Sequence, residues 1–277
     1  MQLPISFEFF PPRDAAGRDS LINNVAAKLA ALQPEYFSVT YGAGGSTREG
    51  TRQTVLALLE AGHSAKPHLS MGTDDQATVK QLLDDYAAAG VTGIVALRGD
   101  QPSGLGSTRF ANNAESLIKL IRSHCGDRFK LTVAAYPEVH PDASDAASDL
   151  EFFQSKVAAG ADNAITQYFY NADAYDDFLN RCQAQGLDLP IIPGIMPITN
   201  HASLVRFSKN CGAEIPRWLD HQLAVRAADD KAVTDYGVEV VSRLCERLIS
   251  AGAPALHFYT LNRWGATTRI VKNLGLA

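Results

Sequence analysis

Eight short, β-rich apolar runs recur along the 277 residues, separated by segments of helical periodicity, and this alternation limits the folds open to the chain. The strand candidates are ISFEFF (5–10), YFSVTY (36–41), PHLSMG (67–72), TGIVALRG (92–99), KLTVAAYP (130–137), NAITQYFY (163–170), PIIPGIM (190–196) and ALHFYTLN (255–262). They read as buried on both faces, which suits a parallel sheet. Between them, Leu21, Val25, Leu29 and Leu32 share one helical face after Asp19-Ser20. Val79, Leu82, Leu83 and Tyr86 do so after Thr73-Asp74, and Leu150, Phe153 and Val157 in the run opened by Ser144. Further helical segments are expected over 112–123, 173–185, 199–210 and 233–250, with stops at Gly62, Gly90, Gly160, Gly186 and Gly252. No Pro/Ser-rich linker, charge run or low-complexity tract interrupts the pattern. The expected architecture is one α/β domain over 1–277, a single (β/α)8 TIM barrel with no C-terminal regulatory domain. A small helical insertion at 212–231 precedes what reads as the last helix. A doubly wound open sheet is the alternative, disfavoured by the count of eight and by the lack of a dinucleotide fingerprint after the first strand.

The formal net charge of −5 argues against nucleic acid or an anionic membrane as main partner. The four cysteines, Cys125, Cys182, Cys211 and Cys245, are widely spaced and form neither a zinc pattern nor a disulfide framework, so a reducing cytoplasm is expected. Glu8 interrupts the only apolar run near the N-terminus, and neither a signal peptide nor a membrane span is expected.

In a (β/α)8 barrel, chemistry collects where strands end. Those positions hold Glu8, Thr40-Tyr41-Gly42, His68, Arg98-Gly99-Asp100, Tyr136, Gln167 and Arg263, few of which are ordinary core residues. Each also has a plainer reading. Glu8 is as readily the partner of an arginine as a catalytic acid. Arg98 and Asp100 can simply pair, and GAGGST (42–47) lacks the lysine and spacing of a phosphate loop. His68 and His140 have no partner at metal-ligand spacing, so no metal is expected. Phe207, one turn from Leu204, suits a core as well as a stacking surface. Lys66 precedes the third strand instead of ending it, which puts it on the wrong face for a Schiff-base aldolase.

Taken in order, FEFFPP, VTYGAGGSTR, ALRGD, AAYPEVHP, AITQ, PGIMPI and HFYTLNR resemble the methylenetetrahydrofolate reductase family, over about residues 5 to 275 and in the form of the short bacterial enzyme. The resemblance implies an FAD-dependent oxidoreductase that reduces 5,10-methylenetetrahydrofolate to 5-methyltetrahydrofolate with NADH or NADPH, by ping-pong hydride transfer, in a homo-oligomer. It implies Glu8 as general acid and Asp100 beside flavin and pterin. Thr40, Tyr41, Ala43, His68, Arg98, Gly99, Tyr136, His140, Asp149 and Lys156 would line the FAD cleft. Gln167, Phe207 and Arg263 would meet the folate. Ser203, His201 and Phe152 depart from one bacterial branch, which bears on dinucleotide binding. The alternatives are another barrel flavoenzyme acting on a different amine or imine, and a ligand-binding barrel without turnover.

The implied reaction protonates the departing nitrogen of the methylene bridge, opening it to an iminium that accepts hydride. A donor working near neutral pH needs a carboxyl pKa raised above its usual value near 4.3. Strand alternation puts Ser6, Glu8 and Phe10 on one face and Phe7 and Phe9 on the other, so the expected aromatic wall of Glu8 is Phe10 plus whatever faces it across the site. Its pKa is raised either by the protein alone or only once flavin and folate close over it.

Overall fold

The computed structural model describes residues 3–41, 48–72, 75–98 and 113–276. Its strands are β1 (Ile5–Phe9), β2 (Tyr36–Val39), β3 (Ala65–Ser70), β4 (Gly93–Leu97), β5 (Lys130–Ala135), β6 (Asn163–Thr166), β7 (Ile191–Ile192), β8 (Gly194–Ile195) and β9 (Leu256–Tyr259). All pair in parallel, in the order β7-β6-β5-β4-β3-β2-β1-β9-β8. The two ends of this sheet are the two halves of one segment, so the chain itself closes a (β/α)8 TIM barrel.

The expected seventh strand is thus divided, and Pro193 is the reason. It has no N–H to donate to a ladder, and it sits where the segment changes partner. Ile191 and Ile192 pair with Ala164 and Ile165 on one side, whereas Gly194 and Ile195 pair with His257 and Phe258 on the other. The Pro193 carbonyl still accepts from the His257 N–H at 3.1 Å.

The helices lie between the strands. Ala15–Ser20, a π-helical turn Leu21–Ala26 and Ala27–Ala30 run on from one another. This helix starts earlier than expected because Asp14, not Ser20, caps it: the Asp14 carboxylate accepts the Gly17 N–H at 2.7 Å. Gln76–Ala88 and Ala146–Ala158 are capped by Asp75 and Asp145, the latter in a capping box with Ser148. The insertion is the helix Arg217–Arg226, which precedes the long helix Asp230–Ser250. That long helix is not the last, because Gly265–Asn273 follows β9. Its four buried residues, Ala266, Thr267, Ile270 and Val271, include only two large apolar side chains, too weak a stripe to read from sequence. No helix among the described residues is long and apolar enough to cross a membrane.

The main apolar core lies outside the barrel wall. Phe7, Phe9, Phe37 and Phe258 are fully buried there, with Phe9 stacked on Phe37 at 5.1 Å and Phe7 at 5.9 Å from Phe258. The barrel interior is different. Among the described residues its separate apolar cluster is Ile165, Ile192 and Ala255, with Tyr259 against it. By alternation and register, Ser6, Glu8, Ser38, His68 and His257 also point inward, and all are buried or nearly so. A polar axis inside an apolar jacket is costly unless its groups are paired or used.

The N-terminal end of the barrel is tied by Arg122. Its guanidinium donates to the carbonyls of Gly160 (2.7 and 3.0 Å), Phe129 (3.1 Å) and Gly126 (3.2 Å) and pairs with Asp162 at 2.8 Å. The same Asp162 carboxylate accepts the Leu131 N–H at 2.6 Å. Arg122→Ala takes this donor from three carbonyls and removes the nearest cation from the partly buried Asp162 carboxylate, and is expected to cost about 2–3 kcal/mol. Urea denaturation reads this as a lower midpoint at unchanged slope.

Candidate active site

Glu8 sits one residue before the end of β1, aimed into the C-terminal mouth, with its side chain 12% exposed. Two imidazoles meet the same carboxylate oxygen: His68 Nε2 of β3 at 3.2 Å and His257 Nε2 of β9 at 3.4 Å. Burial alone would raise the Glu8 pKa. The charge of His68, 3.2 Å away, and the hydrogen bond from His257 outweigh it, and hold the carboxyl down at about 2. The protein alone therefore does not raise the pKa of this carboxyl, and among the described residues its partners are two histidines in place of an arginine or Phe10. Phe10 has left the strand and is 43% exposed. Its backbone N–H and carbonyl are held instead by the Asn262 side chain, at 2.9 Å each.

A second cluster occupies the mouth beyond β4 and β5. Arg98 pairs with Asp142 at 2.6 Å and lowers that carboxyl's pKa. The Asp142 N–H donates to His140 Nδ1 at 2.9 Å, and Asp149 accepts the His140 N–H at 3.0 Å. Tyr136 meets the His140 ring edge-on at 4.5 Å. Burial, with Arg98 nearby, pushes the His140 pKa down. Lys156 donates to the Ala134 carbonyl at 2.6 Å, and burial lowers its ammonium to about 8 although Asp149 opposes this. The turn that makes this cluster is strained: Val139 has φ 70°, an outlier for a β-branched residue.

Thr40 stands at the end of β2, where its carbonyl accepts the Thr51 hydroxyl at 2.7 Å, and the half-buried Tyr41 follows. Gln167 follows β6, with Oε1 accepting the Tyr168 N–H at 3.0 Å. Phe207 is half-buried on the helix His201–Cys211, 5.6 Å from the Arg206 guanidinium, so it is not a core residue. Arg263 is exposed after β9. Ala43, Gly99 and Asp100 lie outside the described residues. Of the departures, Phe152 is 61% exposed, His201 pairs with Asp220 at 2.7 Å, and the Ser203 N–H caps onto Asn200 at 2.9 Å.

Lys66 belongs to the opposite end, its Nζ 3.6 Å from the Tyr36 ring centroid. It cannot act at the mouth where Glu8 stands. A cavity of about 540 Å3 lined by Tyr170, Trp218, Tyr236 and Arg247 lies among the outer helices and contains none of the residues above. The residues missed from sequence are His257, Asp142 and Ser6. The alternation of LHFY, which sets His257 and Tyr259 on one face, carried the signal for His257. Asp142 stands in a loop and has no such signal.

The whole-chain comparisons agree with one another. The family model for methylenetetrahydrofolate reductase matches residues 1–275. The chain is 36% identical over 279 residues to the 5,10-methylenetetrahydrofolate reductase of Escherichia coli, covering 99% of this chain and 92% of that one. It is 35% identical over 296 residues to a methylenetetrahydrofolate reductase (NADH) of Arabidopsis thaliana, covering 99% of this chain and 49% of that one. Among solved structures, an uncharacterized protein from Clostridium thermocellum, which binds two copies of 5-methyl-5,6,7,8-tetrahydrofolic acid, superposes with a TM-score of 0.67 at 17% identity. It covers 99% of this chain and 94% of its own, a likeness that speaks for the fold. The chain belongs to the methylenetetrahydrofolate reductase family.

Proposed function

We propose that this barrel reduces 5,10-methylenetetrahydrofolate to 5-methyltetrahydrofolate, taking hydride from NADH or NADPH through bound FAD in a ping-pong reaction. The observation that carries the reading is the buried Glu8 carboxylate at the C-terminal mouth, set between two imidazoles in a chain of this family.

The donor set beside it fits FAD. Arg98 and Lys156 offer cationic donors to a pyrophosphate, and Tyr136 and His140 offer ring faces and edges. Thr40, Tyr41 and His68 complete the wall on the β2–β3 side. When bound, FAD supplies the transfer of hydride between nicotinamide and folate.

The chain's own residues supply the proton and the orientation. Glu8 gives its proton to the departing nitrogen of the methylene bridge, and the resulting iminium accepts hydride. Its low pKa in the ligand-free protein makes this a gated acid. Folate over the mouth removes water from the carboxylate, so the burial that already opposes the histidines strengthens and Glu8 takes up a proton. Gln167 offers a donor and an acceptor to the amide-like pterin edge, and Phe207 and Arg263 meet the remainder of the folate. Asp100 completes the pterin contacts and tunes the cofactor. The working form is a cytoplasmic homo-oligomer.

The test is spectroscopic. Purified protein supplied with FAD is expected to turn yellow, to bleach with anaerobic NADH or NADPH, and to regain colour on adding 5,10-methylenetetrahydrofolate. Protein that takes up no FAD, or that stays bleached with the folate, overturns the reading. Steady-state rates with both nicotinamides identify the preferred one.

A further inference from the structure

Beneath Glu8, the barrel axis holds a second hydrogen-bonded pair. His257 is fully buried, and its Nδ1 lies 2.7 Å from the hydroxyl of Ser6, itself 3% exposed. Ser6 and His257 are register partners on β1 and β9, so the sheet itself fixes the approach. The other imidazole nitrogen, Nε2, faces the Glu8 carboxylate. An ionised carboxylate only accepts, so Nε2 carries the hydrogen. Burial pushes the His257 pKa down, which leaves the ring neutral and Nδ1 a pure acceptor. The Ser6 hydroxyl therefore donates to Nδ1, and one tautomer is selected.

We propose that His257, locked in its Nε2–H tautomer by Ser6, is a positioning residue for Glu8 that aims the carboxylate at the mouth and sets the pH at which it holds a proton. The titratable groups facing the pair come from β2, β3 and β9. Tyr36 stacks on the His257 ring at 6.2 Å and has the Lys66 ammonium 3.6 Å from its own ring centroid, and its buried hydroxyl belongs to the register partner of Ser6. Tyr259 meets the ring edge-on at 5.4 Å, but its hydroxyl donates to the Thr166 carbonyl at 2.7 Å. His68 reaches Glu8 from β3, on the mouth side. His257 is thus the donor from the closed side of the barrel, where bound ligands do not displace it. Orientation of a reacting acid by a buried imidazole with a hydroxyl behind it follows the same logic as any hydrogen-bonded chain in which each member fixes the next.

The acid role of Glu8 rests on the function proposed above, whereas the couple does not. The experiment reads the ligand-free protein: the Glu8 carboxyl is titrated by 13C NMR or infrared difference spectroscopy, with Glu8→Gln identifying its signal. In His257→Leu the midpoint is expected to rise by at least one pH unit, since burial stays and a donor goes. Ser6→Ala, which preserves packing, is expected to shift it smaller in the same direction, and His257→Gln, which keeps an N–H, to fall between. An unmoved midpoint in Ser6→Ala and His257→Gln overturns the proposal, even where thermal stability has dropped. Moved midpoints in these variants, together with unaltered protein that never reoxidises with methylenetetrahydrofolate, support the couple and overturn the reductase reading alone.

Discussion

Glu8→Gln is expected to bleach with NADH at close to the unaltered rate and to lose reoxidation by 5,10-methylenetetrahydrofolate by about 10²–10⁴-fold, the range for removing a positioned general acid. Glutamine matches glutamate in size and keeps an oxygen to accept from His257, so packing at the mouth is preserved. What it lacks is a transferable proton. The nicotinamide half-reaction requires none from this position, so the two halves should separate in stopped-flow traces of each. Equal loss in both would remove the acid role.

The same variant changes the acid limb of stability. The Glu8 pKa is depressed in the folded protein, so its stabilising contribution is present above the unfolded value near 4.5 and is lost as pH falls toward about 2. Glu8→Gln should be less stable than the unaltered protein at neutral pH, and the gap should close over that window. Urea midpoints at pH 7 and at acid pH measure it. A gap independent of pH would mean that the histidines do not favour the charged carboxylate.

Gly194→Ala carries the largest expected effect on folding. A Cβ at this position would stand 2.1 Å from the Thr166 carbonyl oxygen and 2.6 Å from the Tyr259 ring. Neither neighbour can move freely. The Thr166 carbonyl accepts the Tyr259 hydroxyl at 2.7 Å, and the Thr166 side chain accepts the Gly194 N–H at 2.9 Å. Gly194 lies in β8, directly after the Pro193 break, so accommodating a methyl means parting the seam that closes the barrel. Overpacking in a tight core typically costs about 1–3 kcal/mol, and backbone on one side of the clash puts this case at or above about 3 kcal/mol. Chemical denaturation, or recovery of folded protein, reports it. A variant with an unchanged midpoint would mean that the seam is loose.

Much of this was legible in the linear chain because strand and helix impose different periods on the same residues. ISFEF could be read as Ser6 and Glu8 facing inward with Phe7 and Phe9 outward, and the structure places them so. PIIPGIM read as a strand, but its division at Pro193 needed the identity of its neighbours, since a proline is tolerated wherever a ladder changes partner. Phe10 kept the parity of Glu8 in sequence yet left the face, because Asn262, 252 residues away, holds its backbone.

The sequence by itself determined the barrel, the end of it that carries polar residues, and the family. These follow from periodicity and ordered motifs, which are local properties. Only the tertiary structure decided the electrostatic state of Glu8. Its pKa is the balance of burial against His68 and His257, groups 60 and 249 positions distant, and that balance depends on distances of 3.2 and 3.4 Å that arise only when β1, β3 and β9 come together. The protein alone holds this carboxylate ionised between two imidazoles, because the groups that face it across the barrel are histidines and Phe10 has left its face.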